Sequence, residues 1–293
     1  MSTPLPGGNL KLADELTLSR IGYGAMQLAG PGVWGPPRDR GEAIAVLREA
    51  VERGITHIDT SDYYGPHIVN ELIHEALHPY PKDLHIVTKV GARRAPDKSW
   101  PVALSREELT SAVHDNLERL GLERLDVVNL RVGGLERPTS GSIADPFSVL
   151  AELRQQGLIR HLGVSNVSTE QLTEAQSIAS VVCVQNTYNV TDRYDSELVE
   201  RCAREGIAYT PFFPLGGFTP LQSAVLDAVA ARLGASPRQV ALAWLLQHSP
   251  TILLIPGTSS VAHLRENIAT AHIELAADAI EELDEIGARG RAR

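Results

Sequence analysis

The sequence has few cysteines, few aromatic residues and no long hydrophobic run. Only two cysteines, Cys183 and Cys202, occur in 293 residues, and both stand in apolar segments, which favours buried thiols in a reducing cytoplasm over a disulfide or a metal pair. The longest uninterrupted apolar run, which includes residues 241–246, is far shorter than the roughly 20 residues of a spanning helix, and no secretion-signal pattern opens the chain. We therefore expect a cytoplasmic protein that does not contact the membrane.

Positive charge is also scarce. The chain has 27 lysines and arginines against 36 aspartates and glutamates, a net charge of −9. This balance argues against nucleic acid and anionic lipid as partners. With 43% hydrophobic and 22% charged residues, the composition is that of a folded globular protein rather than a disordered one. A small-molecule partner fits best, and the sequence leaves the oligomeric state open.

A repeating order of apolar run, loop and amphipathic helix extends along the chain. Four pairs have the capping-box spacing at a helix start, namely Asp39 with Glu42, Ser105 with Glu108, Ser168 with Gln171 and Ser236 with Gln239. The apolar runs are separated by helices and never by a two-residue turn, which predicts a parallel sheet. The eight runs begin at Gly22, Ile55, Leu84, Leu122, Leu158, Val181, Ile207 and Ile252.

Eight strand and helix units predict an α/β fold, a (β/α)8 TIM barrel that forms one domain over residues 1–293. The alternating segment 9–19 predicts an additional N-terminal β-hairpin. The rival architecture, a doubly wound open sheet, would carry G-x-G-x-x-G after its first strand. Here Gln27 stands in place of the third glycine, so the fingerprint fails.

Polar residues end several of the apolar runs. In a barrel the carboxyl ends of the strands meet at one mouth, which is where active sites lie, so these residues predict a functional site. Each alone is explained as readily by capping or loop anchoring, but together they are harder to explain that way. They are Asp59, Lys89, Asn129 or Arg131, Ser165, Asn166, Gln185 and Asn186.

Asp59, Lys89 and Tyr64 form a chemically specific set. A buried lysine must be paired or lose its proton, and a carboxylate on the neighbouring strand can hold it charged. We expect that cation to favour the phenolate of Tyr64 and so make this phenol a better proton donor near neutral pH. Tyr63 is the alternative phenol, with packing as its expected role.

Five segments together resemble the aldo-keto reductase family. They are HIDTSDYYG at 57–65, IVTKV at 86–90, GVSN at 163–166, VQNTYN at 184–189 and IPGTSSVAHLRENI at 255–268. The resemblance implies a metal-free, NAD(P)H-dependent enzyme that reduces an aldehyde or ketone to the alcohol. It also implies that Asp59, Tyr64 and Lys89 are three of the four catalytic residues, with Tyr64 as proton donor.

The fourth catalytic position departs from the family pattern. Most members carry histidine there, whereas DVVNLRVGG places Arg131 at the end of the fourth strand. Arginine stays charged and presents a rigid fork of donors, so it cannot relay a proton near pH 7. We expect Arg131 to orient the substrate carbonyl, with a structural ion pair as the alternative.

The resemblance also implies cofactor-binding residues. Ser165, Asn166 and Gln185 would hold the nicotinamide carboxamide, Phe212 would stack on the ring, and Leu215 would lie nearby. The small-residue loop before a helix favours phosphate through its N–H groups. Gly257 and His263 replace the family's usual basic residues, but Arg265 is nearby, so the resemblance favours NADPH and leaves NADH possible. The remaining expected contacts are Gly257, Thr258, Ser259, Ser260, Arg265 and Asn267.

Three loops, residues 30–38, 92–104 and 133–145, should wall the substrate pocket. Trp34 and Trp100 lie in the first two and suggest a flat or cyclic carbonyl substrate. The pattern is most similar to the bacterial pyridoxal-reductase-like members of the family, which makes pyridoxal one candidate. Two alternatives remain, a nicotinamide-nucleotide-binding regulatory barrel and a zinc hydrolase based on the H-E-x-x-H match at residues 74–78.

Overall fold

Parallel strands follow one another in chain order around the structure, a computed structural model that describes residues 5–134, 137–217 and 221–290. A separate antiparallel hairpin precedes them and confirms the hairpin predicted at residues 9–19. The hairpin strands are β1 (Asn9–Ala13) and β2 (Leu16–Ser19), and the curled parallel sheet contains β3 (Tyr23–Gly24), β4 (His57–Asp59), β5 (His85–Val90), β6 (Leu125–Arg131), β7 (Ile159–Ser165), β8 (Val181–Gln185) and β9 (Ala208–Tyr209).

The eighth predicted run does not form a regular strand. Residues 252–254 instead make isolated parallel bridges, from Ile252 to Tyr209 on one side and from Leu254 to Ile21 on the other. The Leu253 amide donates to the Tyr209 carbonyl at 3.0 Å, and the Leu254 amide donates to the Arg20 carbonyl at 2.8 Å. This short segment therefore joins the last strand to the first and completes the predicted barrel, although the eighth run forms isolated bridges instead of a regular strand.

Helices cover the outside of the sheet, and their starts largely follow the predicted caps. Ser105, Ser168 and Ser236 each form a complete capping box. Asp39 accepts from the Glu42 amide, but the Glu42 carboxylate accepts from the Val261 amide at 2.9 Å, so this fourth box is only half formed. The helices are α1 (Arg40–Glu52), α2 (Ile68–Leu77), α3 (Arg106–Leu120), α4 (Ala144–Gln155), α5 (Thr169–Ile178), α6 (Ser196–Glu205), α7 (Ala224–Leu233), α8 (Pro237–His248), α9 (Val261–Ala269) and α10 (Ala277–Gly290), with 3₁₀ turns at Ala25–Leu28 and Thr270–His272.

Two apolar layers result from the alternation of side chains along each strand. The larger layer lies between sheet and helices, and Trp244 and Phe147 are among its most enclosed side chains. The smaller one fills the barrel interior, where Leu16 and Leu18 of the hairpin pack with Val87, Val127 and Leu253. The hairpin thus covers the end of the barrel away from the carboxyl ends of the strands.

Two predictions about composition are answered by the same structure. Cys183 and Cys202 are both buried free thiols, as predicted. No helix in the described part of the chain has the length and apolar character needed to cross a membrane.

Candidate active site

The predicted residues lie around one mouth of the barrel. Four of them end their strands, and a fifth is the last residue but one of its strand. Asp59, Arg131, Ser165 and Gln185 are the last residues of β4, β6, β7 and β8, and Lys89 is the last but one of β5. All five side chains are buried. Asn129, two residues before Arg131, lies inside the barrel, where its side-chain amide finds no hydrogen-bond partner among the described residues.

Asp59 and Lys89 form a buried ion pair at the bottom of the mouth. The lysine Nζ lies 2.5 Å from Oδ1 of Asp59 and also donates to the Thr60 carbonyl at 3.0 Å. The other carboxylate oxygen accepts from Nε2 of Gln185 at 2.8 Å. Each charged side chain is 5% exposed. Because each charge neutralises the other and is further hydrogen-bonded, the cation is kept in the mouth as predicted.

Tyr64 lies beside this pair on the loop that follows β4. Its ring centroid is 5.3 Å from the Lys89 Nζ, and the side chain is 7% exposed. Burial raises the pKa of the Tyr64 phenol, the Asp59 carboxylate raises it further, and the Arg131 guanidinium only partly opposes these effects. The expectation that neighbouring charge makes this phenol more acidic is therefore not supported, because burial dominates the shift and the Asp59 carboxylate adds to it.

Arg131 is the second cation of the mouth, and it is held differently. Its guanidinium donates to the Ser165 hydroxyl at 3.1 Å and to the Gly134 carbonyl, and it lies 4.7 Å above the Phe212 ring. Within the described part of the chain no carboxylate forms an ion pair with it, which answers the alternative of a structural ion pair as far as those residues extend. Burial lowers the pKa of Arg131 from its very high ordinary value.

Two clefts meet at this mouth and share Tyr64, Lys89, Gln185 and Phe212 as walls. The first, of about 650 Å³, extends toward the loop that contains Gly257. The second, of about 560 Å³, extends in another direction, and five of its twelve lining residues are aromatic. Two molecules bound one in each cleft would meet between Tyr64 and Phe212. The first cleft is further lined by Gly24, Met26, Gln27, Phe213, Pro214, Leu215, Gly217, Ile255, Pro256 and Gly257, and the second by Met26, Tyr63, Ala92, Trp100, Arg131, Gly133, Gly134 and Phe213.

The residues expected to hold a carboxamide differ in what they can still bind. Oε1 of Gln185 is buried without a hydrogen-bond partner, so it can accept from an amide NH₂ group in the first cleft. The Ser165 hydroxyl already accepts from Arg131 but retains its own proton. The Asn166 side chain donates to the carbonyls of Val132 at 3.0 Å and Gly134 at 3.3 Å, which ties it to its own barrel loops.

The expected phosphate loop borders the first cleft, but its basic residue is occupied. Gly257 lines the cleft, and Ser259 lines a groove next to it. The Thr258 carbonyl accepts from the Tyr23 hydroxyl at 2.6 Å, and its side-chain oxygen accepts from the Ser260 amide at 3.1 Å. Arg265 forms an ion pair with Glu49 at 2.7 Å rather than standing free.

The same helix also carries the last expected contact. Asn267 is buried on α9 and does not line either cleft. The phosphate loop and its helix therefore reach the first cleft through Gly257 alone among the expected contacts of this segment.

Of the two tryptophans, only Trp100 lines the clefts. Trp34 lies one layer further out, where it bridges to Gly65, so its expected direct contact with substrate is not supported. Part of the third expected loop, residues 135–136, lies outside the described residues. The sequence interpretation missed Met26, Gln27 and Phe213. The first two follow β3, so the rule that strands end at the mouth could have identified them.

The H-E-x-x-H segment has a packing role on α2. The rings of His74 and His78 stack with centroids 4.6 Å apart, and Glu75 forms an ion pair with Arg40. Over the described residues, no cluster of three or more histidine, cysteine, aspartate or glutamate side chains has the arrangement of a metal site. A zinc hydrolase is therefore not supported.

Comparison with known proteins decides the class. The model of the aldo/keto reductase family matches residues 20–288, nearly the whole chain. The chain belongs to the aldo/keto reductase family. This membership makes it an oxidoreductase and confirms the resemblance on which the sequence interpretation depended. It gives no support to the alternative of a regulatory barrel.

The relatives span the whole chain. It is 62% identical over 272 residues to pyridoxine 4-dehydrogenase of Escherichia coli, covering 92% of this chain and 95% of that protein. It is 39% identical over 281 residues to an uncharacterized oxidoreductase of Schizosaccharomyces pombe, covering 96% and 90%.

Solved structures agree on the fold. A thermostable aldo-keto reductase in complex with the inhibitor epalrestat is 32% identical, with a TM-score of 0.81 and coverage of 95% of this chain and 99% of that one. A Klebsiella pneumoniae aldo/keto reductase in complex with NADP and acetate is 23% identical, with a TM-score of 0.77 and coverage of 95% and 94%.

Proposed function

We propose that this protein reduces an aldehyde or ketone to the alcohol with NADPH. The observation that carries the proposal is the buried Asp59–Lys89 pair at the junction of two clefts, with Tyr64 and Arg131 on its open side. The pair keeps the Lys89 cation in place, because the Asp59 carboxylate balances its charge. A phenol and a fixed guanidinium then face the place where a carbonyl oxygen would lie.

The first cleft is suited to a nicotinamide nucleotide. The unpartnered Oε1 of Gln185 offers an acceptor for a carboxamide, and the Phe212 ring borders both clefts. Two solved Klebsiella pneumoniae aldo-keto reductase structures of the same fold contain NADP in one case and NADPH in the other. When bound, the nicotinamide supplies the hydride for the carbonyl carbon.

The chain's own residues supply the proton and the orientation. Tyr64 gives its phenolic proton to the carbonyl oxygen, and its raised pKa means that this proton is present at every working pH. Arg131 holds the same oxygen through its guanidinium fork and stabilises negative charge that develops there. Ser165 and the Gly134 carbonyl fix the position of this guanidinium.

The second cleft suits a flat ring substrate. Its walls contain five aromatic side chains, those of Tyr63, Tyr64, Trp100, Phe212 and Phe213. The Escherichia coli relative is named for pyridoxine, a substituted pyridine ring. We therefore propose pyridoxal as the carbonyl substrate and pyridoxine as the alcohol.

The decisive experiment replaces the proton donor and leaves its neighbour as a control. Tyr64→Phe should lower kcat for NADPH-dependent pyridoxal reduction by at least about 10²-fold, because a general acid is lost, and should leave NADPH affinity unchanged. Tyr63→Phe should keep kcat within a few-fold. Turnover is followed by NADPH absorbance and affinity by fluorescence titration. Wild-type turnover in Tyr64→Phe, with a loss in Tyr63→Phe, would assign the proton to the other phenol.

A further inference from the structure

Arg94 connects two loops that stand outside the second cleft. One loop leads from the first 3₁₀ turn to α1, and the other leads from β5 to α3. The guanidinium of Arg94 donates to the Val33 carbonyl at 2.8 Å and to the Gly32 carbonyl at 3.2 Å in the first loop. It also donates to the Lys98 carbonyl at 3.1 Å in its own loop. A single side chain thus bonds three carbonyls across 62 residues of sequence separation.

The same guanidinium lies between two tryptophan rings. Its central carbon is 3.9 Å from the Trp100 ring centroid and 5.2 Å from that of Trp34. Planar guanidinium groups stack on aromatic faces, and the contact is both electrostatic and dispersive. Arg94 therefore restrains the Trp100 ring without itself lining either cleft.

Trp100 also contacts the reacting region. Its ring is edge-on to Tyr63 at 5.6 Å and to Tyr64 at 6.5 Å, and it lines the second cleft. Arg94 itself lines neither cleft. Its effect on a bound molecule must therefore pass through Trp100.

The backbone that Arg94 bonds has an unfavourable conformation at two residues. Val33 and Lys98 have φ of 57° and 68°, the left-handed region that a β-branched or long side chain seldom adopts. Such conformations persist only where the surroundings impose them. Two of the three carbonyls that Arg94 bonds belong to these two residues, so the arginine is part of what imposes the loop conformation.

We propose that Arg94 is a positioning residue that fixes Trp100 as the outer wall of the substrate cleft and so sets a preference for ring-shaped carbonyl substrates. The inference rests on the proposed function. A ring gains affinity from a wall that is already in place, because no side-chain freedom is lost on binding. A short aliphatic aldehyde covers little of that wall and gains little from its rigidity.

The test compares a ring substrate with a short one in matched variants. Arg94→Ala should lower kcat/KM for benzaldehyde about 10-fold, mainly through KM, and should change that for propanal less than about 2-fold. Arg93→Ala is the control, because Arg93 is an exposed neighbour paired with Glu108 at 3.5 Å and lines neither cleft. Arg94→Lys keeps the stem and one donor but not the planar fork, and should lie between. It also serves as the second variant if the alanine protein does not fold.

Tryptophan fluorescence supplies a readout independent of turnover. The chain has three tryptophans, and Trp244 is only 1% exposed, so a change in quenching by acrylamide reports on Trp34 and Trp100. Quenching should increase in Arg94→Ala and stay unchanged in Arg93→Ala. An unchanged ratio of the two substrates in Arg94→Ala, or equal losses for both, overturns the inference while the reductase activity stands. Absence of NADPH oxidation by the wild type with every carbonyl overturns the proposed function, and this inference with it.

Discussion

Lys89 and Asp59 each need the other's charge, because both side chains are almost fully buried and an unpaired buried charge is unfavourable. Lys89→Met removes the cation and leaves a buried carboxylate whose remaining side-chain donor is Gln185. Breaking such a pair costs about 3–5 kcal/mol, so the free energy of unfolding should fall by that order and turnover should collapse. Urea unfolding and NADPH oxidation measure the two effects.

An exposed lysine provides the control for that variant. Lys82→Met removes a lysine on the surface before β5 and should leave both stability and turnover unchanged. If Lys89→Met unfolds at the same urea concentration as Lys82→Met, the charge pair does not stabilise the fold.

Arg131 and Tyr64 make a pH prediction whose sign follows from the shifted pKa of the phenol. Because the pKa of Tyr64 is raised, the donor stays protonated as pH rises, and reduction should show no falling limb between about pH 6 and pH 9. Arg131 also stays charged over that range. In Arg131→His, kcat should fall as pH rises through about 6.5 or below, because the imidazole loses the charge that holds the carbonyl oxygen.

The matched variant is Arg131→Met, which has no titrating group at this position. It should be slower than the wild type at every pH, with a flat profile and unchanged NADPH affinity. A titration step in the wild-type profile between about pH 6 and pH 8 would show that another group controls the proton transfer.

At the scale of elements, α1 and α9 meet near the expected phosphate loop. Glu49 on α1 pairs with both Arg265 and Arg53, and these pairs hold the pKa of its carboxyl at about 2. A carboxylate that stays ionised keeps competing with any phosphate for Arg265. We therefore expect Arg265→Ala to raise the Kd for NADPH only about 3-fold and to leave that for NADH unchanged, with fluorescence titration as the measurement.

Glu49→Gln is the complementary change. It releases Arg265 from its partner and should tighten NADPH binding while leaving NADH binding unaltered, because only NADPH carries the 2′-phosphate. Equal changes in the Kd for NADPH and NADH in either variant would show that α1 and α9 do not recognise the 2′-phosphate.

The elements differ in how far their sequences determine them. Ser105, Ser168 and Ser236 start helices as predicted, because a capping box is a local pattern satisfied within four residues. Asp39 and Glu42 have the same spacing, but the Glu42 carboxylate bonds Val261, more than two hundred residues away. Local sequence cannot foresee a competing partner that the barrel brings alongside.

At the scale of the whole molecule, the hairpin and the 252–255 segment complete a barrel that seven strands leave open. Leu18 is 1% exposed and packs inside the barrel with Val87 and Val127. Leu18→Ala should lower the free energy of unfolding by about 2–5 kcal/mol through lost burial and a cavity, and should leave kcat unchanged because the mouth lies at the opposite end. Thermal or urea unfolding measures the loss.

The exposed neighbour on the same strand gives the comparison. Thr17→Ala should change the free energy of unfolding by less than about 0.5 kcal/mol. A loss of turnover in Leu18→Ala at a temperature where the protein stays folded would show that the floor of the barrel is coupled to the mouth.

The sequence by itself determined the barrel order, the hairpin, the two buried thiols and the strand-end residues Asp59, Lys89, Arg131, Ser165 and Gln185. These features follow from periodicity and from the rule that parallel strands end at one mouth, and both act along the chain. Only the tertiary structure decided which charges cancel. Lys89 is paired with Asp59, burial together with the Asp59 charge raises the pKa of Tyr64 rather than lowering it, and Arg265 is paired with Glu49. Electrostatic energies depend on distance and burial in space, and spacing along a sequence specifies neither.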